Sequence, residues 1–283
     1  MQFGVQLPVE SIGRDPASLR TFAQEAEALG FDYIVLYEHV VGTTPVARPG
    51  RASHPAEKPY REVFTTMAFI AAVTQRIGLS TAVLVLPQRQ TVLAAKQAAE
   101  VDALSGGRLR LGVGVGRNNH EYAALGADFS TRGRRIEEQV AVMRALWSQD
   151  WVTFAGSEHH LDGVSLTVPP VQRPIPVWFG GNSAPVLQRI SRIGDGWIPS
   201  SRVDNFAEER AALRRAAEEA GRDPDTIGIE GRVELTEGGP QEWRRWLSWW
   251  GENGATHVKA HLGEGPLAQE LERAARFIES ARG

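Results

Sequence analysis

The stretch Ser105-Gly106-Gly107-Arg108-Leu109-Arg110-Leu111-Gly112-Val113-Gly114-Val115-Gly116 predicts a turn, then a buried strand, then a glycine-rich exit. A second glycine exit, Gly180-Gly181-Asn182-Ser183, follows the apolar run Val177-Trp178-Phe179. Both exits lead into predicted helices, whose first N–H groups have no partner within the helix and lie at the positive end of its dipole. Phosphate is the usual ligand of such backbone. The two exits therefore predict a ligand that is held by main-chain amides.

Apolar strand-like runs alternate with helical segments through most of the chain. In the first predicted helix, helical spacing places Leu19, Phe22 and Ala26 on one face. The predicted strands are Phe3–Leu7, Tyr33–Tyr37, Leu79–Leu86, Leu109–Val115, Pro176–Phe179, Gly196–Pro199, Ile227–Leu235 and His257–Leu262. The predicted helices are Pro16–Leu29, Val63–Gln75, Val92–Leu104, Thr131–Trp147, Pro185–Ile193, Asn205–Ala220, Gln241–Asn253 and Leu267–Ala281. This alternation predicts a parallel sheet that is covered by helices.

Eight predicted strands and eight predicted helices indicate an α/β fold of the (β/α)8 TIM-barrel type. Such barrels have a typical size of about 250 residues, and this chain has 283. An open doubly wound sheet is the alternative, but no Gly-x-Gly-x-x-Gly follows the first strand, where a dinucleotide-binding fold has it. Because no linker or low-complexity tract divides the chain, we predict a single barrel domain over residues 1–283.

Two segments are too long to be simple connections. Val41–Arg61 forms a long loop after the second strand, and its length favours a functional lid over the site. Trp151–Pro174 contains two short apolar runs around Gly156 and predicts a small hairpin insert before the fifth strand. A lid and an ordered decoration are equally good interpretations of the hairpin.

Composition excludes several classes of function. The formal net charge of −3 gives no sign of nucleic-acid binding. No window reaches the roughly 18 uninterrupted apolar residues of a membrane span, and the first residues run into a strand without a signal-peptide pattern. The chain has no cysteine, which suits the cytoplasm and excludes disulfides and thiolate metal sites. No His, Asp and Glu set has metal-ligand spacing, so we predict no metal.

Several short motifs follow one another in order over nearly the first 200 residues. They are Tyr37-Glu38-His39-Val40, Thr81–Pro87, Ala94-Ala95-Lys96, Val101–Arg108, Gly112–Gly116, Glu121–Gly126, Arg132–Arg135, Gly180–Ser183 and Gly194-Asp195-Gly196-Trp197. The ordered set resembles the bacterial luciferase-like monooxygenase superfamily, and most closely its short branch of oxidoreductases that use the deazaflavin coenzyme F420. The resemblance implies a (β/α)8 barrel, a flavin or deazaflavin, and redox chemistry on a small organic substrate.

The glycine exits carry the predicted cofactor site. Gly114 and Gly116 end a barrel strand, where glycine permits close approach of a flat ring and positive φ; the alternative is a turn that merely needs glycine. At the second exit, Gly180 and Gly181 precede Asn182 and Ser183, whose amides we expect to bind phosphate together with the Ser183 hydroxyl. Simple capping of the next helix by Ser183 is the alternative there. Arg117 departs from the family pattern, and we expect it to reach the cofactor phosphate or the substrate.

The third strand is a further cofactor contact. The resemblance implies that Thr81, Ala82 and Val83 form a bulge with a non-proline cis peptide bond behind the ring of the cofactor. Without the resemblance, the β-branched composition of this stretch predicts a regular strand.

His39 is the predicted catalytic residue. It directly follows the second strand, and an imidazole there can hold a substrate oxygen or relay a proton near neutral pH. Glu38 either orients His39 or pairs with an arginine, and the structural role is the expected one. We also weigh Glu38, Trp197 and His261 as substrate contacts, with a salt bridge an equally good interpretation of His261.

Other polar and aromatic patterns favour structural roles. Glu230 and Arg232 alternate along one strand face, which predicts an ion pair with each other inside the barrel. His159 and His160 are expected on the surface of the hairpin. Trp243, Trp246 and Trp250 form a helical stripe whose packing on the barrel is the simplest explanation, and an exposed patch there would indicate a homodimer.

Together with the resemblance, these residues predict an oxidoreductase that transfers a hydride between coenzyme F420 and a small organic substrate. An FMN-dependent monooxygenase that uses dioxygen is the near alternative, and a non-catalytic flavin-binding protein is a third. The acidic tail of the deazaflavin, which FMN lacks, needs basic residues at the rim of the site. The candidates are Arg48, Arg51, Lys58, Arg61 and Arg117.

Overall fold

A computed structural model describes residues 1–42, 58–200 and 205–283. The predicted loop between Val41 and Arg61 therefore lies mostly outside the described residues, as do Arg48 and Arg51.

The strands of the described residues form one closed parallel barrel and one hairpin. The barrel strands are β1 (Gln2–Gln6), β2 (Tyr33–Leu36), β3 (Gly78–Thr81), β4 (Leu84–Val85), β5 (Leu109–Gly114), β8 (Val177–Gly180), β9 (Gly196–Ile198), β10 (Gly228–Glu234) and β11 (His257–His261). The hairpin strands are β6 (Val152–Ala155) and β7 (His160–Val164). Because β3 pairs with both β2 and β5, the ring closes, and β3 with β4 counts as one interrupted barrel strand. The predicted eightfold barrel is confirmed.

Helices cover the outside of the barrel. They are α1 (Val9–Ile12), α2 (Pro16–Ala28), α3 (Val63–Val73), α4 (Thr91–Ser105), α5 (Asn119–Ala124), α6 (Arg132–Ser148), α7 (Ala184–Ile193), α8 (Phe206–Glu219), α9 (Pro240–Glu252) and α10 (Leu267–Arg282). The sequence missed the short helices α1 and α5, because four and six residues are too few to show a helical period. Among the described residues, no helix is long and apolar enough to cross a membrane.

The third predicted strand is the main departure in the barrel. Its residues split into β3 and β4, and the register to β5 shifts by one residue between Ser80 and Leu84. This extra residue is a bulge, and the peptide bond between Ala82 and Val83 is cis. Both features are those that the family resemblance implied, whereas a regular strand would keep one register.

The interior of the barrel forms a small core of its own. Tyr33, Val35, Ala82, Trp178 and Ile198 pack together there, apart from the larger core between the sheet and the helices. Glycines on neighbouring strands leave room for the rings: a Cβ on Gly4 would lie 2.2 Å from the Tyr33 ring, and one on Gly196 would lie 2.2 Å from the Trp178 ring. The lower barrel is thus filled by large side chains.

Charged groups share this lower interior. The Arg110 guanidinium lies 4.4 Å from the Tyr33 ring and 4.3 Å from the Trp178 ring. It pairs with Glu230, which also accepts a 2.9 Å bond from the buried Lys259 ammonium. The expected Glu230–Arg232 pair is therefore wrong: Glu230 faces inward to two other cations, while Arg232 is half exposed and pairs with Glu234.

The hairpin packs on the outside of the barrel. Its turn lies against α4 and α6, where His159 Nδ1 is 2.7 Å from Glu138 and Nε2 contacts the Thr91 hydroxyl. The expectation that both hairpin histidines lie on the surface is correct for His160 and wrong for His159, whose side chain is only 10% exposed. These contacts favour the ordered decoration over the lid.

The tryptophan stripe of α9 is explained by packing. Trp243 and Trp250 are buried in the larger core, and Trp246 and Trp249 are partly buried against it. The exposed aromatic patch that would have indicated a homodimer is not formed by this stripe.

Candidate active site at the carboxyl ends of the strands

The two glycine exits lie side by side at one end of the barrel. Strands β5 and β8 are parallel neighbours, and Val113 pairs in register with Phe179. Gly114 and Gly180, the next residues along each strand, therefore end at the same level. This is the carboxyl end of the barrel, where TIM-barrel enzymes have their active sites.

Val83 fills the space that glycine leaves on both strands. A Cβ on Gly114 would lie 2.5 Å from one Val83 methyl carbon, and a Cβ on Gly180 would lie 2.6 Å from the other. Neither glycine has a positive φ, whereas Gly116 and Gly181 do, at +62° and +119°. Two of the four predicted glycines thus accommodate the bulged strand, and the other two give the backbone its turn out of the barrel.

Thr81 holds the bulge from below. Its hydroxyl donates a 2.6 Å bond to the Gly112 carbonyl, and its side chain is fully buried. Ala82 is buried too, while Val83 is partly exposed. Of the three predicted cofactor contacts, only Val83 therefore has a side chain that is accessible from the mouth.

The second exit is braced by neighbouring strands and helices. The Trp197 indole, fully buried, donates a 2.8 Å bond to the Gly181 carbonyl. The Asn182 side chain accepts bonds from the amide and hydroxyl of Ser200, at 2.7 and 2.8 Å, and donates to Glu209. Trp197 therefore supports the loop from inside instead of lining the mouth, and any Asn182 contact with a ligand falls to its backbone amide.

Ser183 is the N-cap residue of α7, as predicted. Its side chain makes no capping hydrogen bond, although it is exposed at the start of a ten-residue helix. A hydroxyl beside the positive end of a helix suits a phosphate oxygen. This donor set fits the phosphate of a flavin-type cofactor.

His39 is brought against a buried carboxylate. Its Nδ1 lies 3.5 Å from Oε2 of Glu121, on α5. The other Glu121 oxygen accepts bonds from the amides of Val40 and Val41, at 2.6 and 3.3 Å. Burial raises the pKa of Glu121, but its contact with His39 and its bond from the Val40 amide outweigh burial and leave the pKa below its ordinary value. His39 therefore faces an ionised carboxylate.

Glu38 points away from the mouth into a structural network. It accepts a 2.8 Å bond from the Val85 amide and pairs with Arg89, and its side chain is almost fully buried. Burial raises the Glu38 pKa in spite of Arg89. The contacts agree with the structural role expected for it and join the end of β2 to the bulged strand.

The remaining candidates lie around the rim. His261 Nδ1 is 2.6 Å from Glu234, so the salt-bridged interpretation describes its contacts in this structure. Arg117 is exposed just beyond Gly116. Lys58 pairs with Glu10 and Glu264, and Arg61 donates to the Gly13 carbonyl at 2.9 Å, so both cations already have partners within the chain.

Sequence reasoning missed two residues that touch His39. Glu121 belongs to the motif Glu121–Gly126, but nothing in the spacing connects it to His39, 82 positions earlier. Tyr60 packs edge-on against the His39 ring, with centroids 4.9 Å apart. The position of Glu121 follows from topology, because α5 comes directly after the glycine exit of β5 and therefore lies at the mouth.

Comparison with known proteins agrees with these observations. A family model described as luciferase-like monooxygenase matches residues 1–279. An uncharacterised protein of Mycobacterium tuberculosis is 33% identical over 207 residues, which cover 71% of each chain. The F420-dependent glucose-6-phosphate dehydrogenase of Gordonia bronchialis is 32% identical over 224 residues, 75% of this chain and 62% of that one.

Solved structures show the same fold at low sequence identity. A monooxygenase of Streptomyces bottropensis superposes with a TM-score of 0.81 at 20% identity, covering 99% of this chain and 98% of that one. The coenzyme F420 dependent tetrahydromethanopterin reductase of Methanopyrus kandleri gives 0.78 at 16% identity, covering 98% of each.

Proposed function

Because the chain belongs to the luciferase-like monooxygenase family, we propose that it transfers a hydride between coenzyme F420 and a small organic substrate. The observation that carries the proposal is the His39–Glu121 pair, which lies at the same barrel end as the two glycine exits. Relatives that are named as F420-dependent dehydrogenases support the choice of the deazaflavin.

Three parts of the mouth would hold the coenzyme. Val83, with Gly114 and Gly180 against it, would back the ring, and Gly116 would let the chain turn away from it. The amides of Asn182 and Ser183 and the Ser183 hydroxyl would bind the phosphate. Gly181, supported from inside by Trp197, sets the path of the backbone between ring and phosphate. Arg117, exposed beyond Gly116, would reach the phosphate or the substrate.

His39 would move the proton that accompanies the hydride. The reduced coenzyme supplies a hydride to carbon when it is bound, and the substrate oxygen then requires a proton. The Glu121 carboxylate lies on the Nδ1 side of the ring and favours a proton on that nitrogen. Proton exchange with the substrate oxygen is thereby assigned to Nε2. In the reverse direction the same nitrogen accepts the proton of an alcohol.

Equilibrium titration tests the choice of cofactor. We expect the purified chain to bind coenzyme F420 more tightly than FMN under identical conditions. Gly181→Val is expected to abolish most of this affinity, because Gly181 has φ +119° and a β-branched side chain does not adopt that backbone. Tighter binding of FMN would replace the proposal by the monooxygenase, and full affinity in a folded Gly181→Val variant would move the phosphate elsewhere.

Substitution of His39 tests the chemistry. We expect His39→Ala to lower kcat by roughly 100-fold or more, the usual contribution of a general acid or base. The free energy of unfolding should fall by much less than the activation barrier rises, because Glu121 keeps its bonds from the Val40 and Val41 amides. A raised KM with kcat retained would instead make His39 a binding residue.

A further inference from the structure

The segment 58–62, which we call the strap, is bonded to four surrounding elements. At its start, the Lys58 ammonium pairs with Glu10 of α1 and, at 3.1 Å, with Glu264 in the loop after β11. At its end, Glu62 caps α3 through a 2.7 Å bond from the Thr65 amide. Glu62 also accepts a 2.9 Å bond from Arg89, whose other partner is the carboxylate that follows β2.

The Lys58 anchor joins two parts of the barrel through one ammonium. Two carboxylates from different parts of the barrel face one ammonium, and their hydrogen bonds raise the pKa of Lys58 above its ordinary value. Arg61 adds a second attachment on the same side, through its 2.9 Å bond to the Gly13 carbonyl. Bonds to the rim therefore lie on both sides of Tyr60.

Tyr60 occupies the middle of the strap and touches His39. The two rings meet at 68° with centroids 4.9 Å apart, the edge-to-face arrangement that aromatic rings prefer. Glu121 contacts the same imidazole at Nδ1. The imidazole therefore has the carboxylate on its Nδ1 side and the Tyr60 ring against it.

We propose that the strap positions the His39 imidazole, with Tyr60 as the positioning residue through which the Lys58 anchor acts. The inference rests on the proposed role of His39 in proton transfer. Misplacement of a reacting group by about 1 Å costs roughly 100-fold in rate, so a ring held from two sides has a direct consequence for turnover. Lys58 acts through the strap, because its ammonium pairs with α1 and with the loop after β11.

Nuclear magnetic resonance of the chain without cofactor tests the proposal. The probe is the Hε1 proton of His39 in protein labelled with 13C at histidine Cε1, assigned as the one of seven histidine signals that His39→Gln removes. Tyr60→Leu should shift this signal, because the ring current of the tyrosine is lost. Tyr60→Phe should restore the wild-type position, and Lys58→Met should shift the signal in the same direction as Tyr60→Leu, by less.

Lys96→Met is the matched control. Lys96 forms an i,i+4 pair with Glu100 on α4 and is exposed to a similar degree as Lys58. The Lys96→Met variant should leave the His39 signal in place. The other six histidine signals report that each variant is folded. An unchanged His39 signal in Lys58→Met would overturn the anchor, and an unchanged signal in Tyr60→Leu would overturn the positioning role. Neither readout depends on F420, so a failure of the proposed function is distinguishable from a failure of the strap.

Discussion

The lower interior of the barrel and its mouth contain the same residue types in different surroundings. In the lower interior, Arg110 and Lys259 share the buried Glu230, and His257 lies edge-on to the Trp178 ring at 4.8 Å. At the mouth, His39 is held between Glu121 and Tyr60 at the rim. Histidine, glutamate and glycine occur in both regions. What differs is the neighbourhood, because large rings fill the lower interior and backbone turns open the mouth.

The pKa values of the carboxyl groups in the two regions are lowered for different reasons. Burial alone would raise the pKa of Glu230, but the charges of Lys259 and Arg110 outweigh it and lower the pKa to about 2. Glu121 has backbone amides and one histidine as partners. We interpret the cluster of paired charges in the lower interior as structural and the carboxylate behind the rim histidine as part of the proposed site. A perturbed pKa therefore points to function only together with access to the mouth.

The largest expected effect comes from breaking the lower charge cluster. Glu230→Gln leaves the buried Lys259 and the mostly buried Arg110 without their counter-charge, and loss of one partner of a buried ion pair costs about 3–5 kcal/mol. We expect the free energy of unfolding, measured by urea denaturation, to fall by that amount. Glu234→Gln, four positions along the same strand and half-buried at the mouth, is the control and should cost about 1 kcal/mol or less. Equal losses would remove the distinction between the two regions.

The fold was predictable from sequence to the extent that it follows from periodicity. The alternation of strands and helices gave the eightfold barrel, and the glycine exits were placed at one end of it. The bulge at Thr81–Val83 had no local signal, because its β-branched residues suit a regular strand equally well. It became predictable only through the ordered motifs of the family.

The site was predictable only in part, because contacts between distant strands have no spacing rule. His39 was identified by its place after β2, but its partner Glu121 lies on a six-residue helix that periodicity cannot detect. Glu230 was expected to pair with Arg232, two residues on, because both face one side of a strand. The closed barrel instead brings Lys259 and Arg110 to it from other strands. Lys259 comes from the neighbouring strand β11 and Arg110 from β5, three strands away, so charge pairing inside a barrel depends on its closure more than on neighbours along the chain.

A histidine of the lower interior gives the next largest effect. Burial and the charge of Arg110 lower the pKa of His257 from 6.5 to about 3. Below pH 6.5 His257 binds a proton in the unfolded chain but not in the folded chain. The free energy of unfolding is therefore highest above pH 6.5 and decreases as the pH falls. The slope is at most about 1.4 kcal/mol per pH unit, or about 2 kcal/mol between pH 6.5 and 5.

His257→Gln should remove that part of the pH dependence. We expect unfolding free energies measured at pH 6.5, 6 and 5 to fall less steeply than in the unaltered protein. His160→Gln, on the exposed strand of the hairpin, is the matched control and should leave the slope as it is. The same slope in all three proteins would show that the lower interior admits a charged histidine.

The smallest expected effect compares two helix starts, one structural and one at the mouth. Asp15 caps α2 by accepting bonds from the Ala17 and Ser18 amides at 3.1 and 2.9 Å, whereas Ser183 makes no side-chain capping bond to α7. Asp15→Ala should therefore lower the free energy of unfolding through the loss of the cap and leave coenzyme binding unchanged. Ser183→Ala should leave the free energy of unfolding unchanged and weaken binding of coenzyme F420 by about 1 kcal/mol, roughly fivefold, through the loss of one hydroxyl donor. Urea denaturation of both variants measures the change in stability, and equilibrium titration measures the change in affinity for coenzyme F420. A Ser183→Ala variant that loses stability and keeps its affinity would assign the hydroxyl to the helix instead of the phosphate.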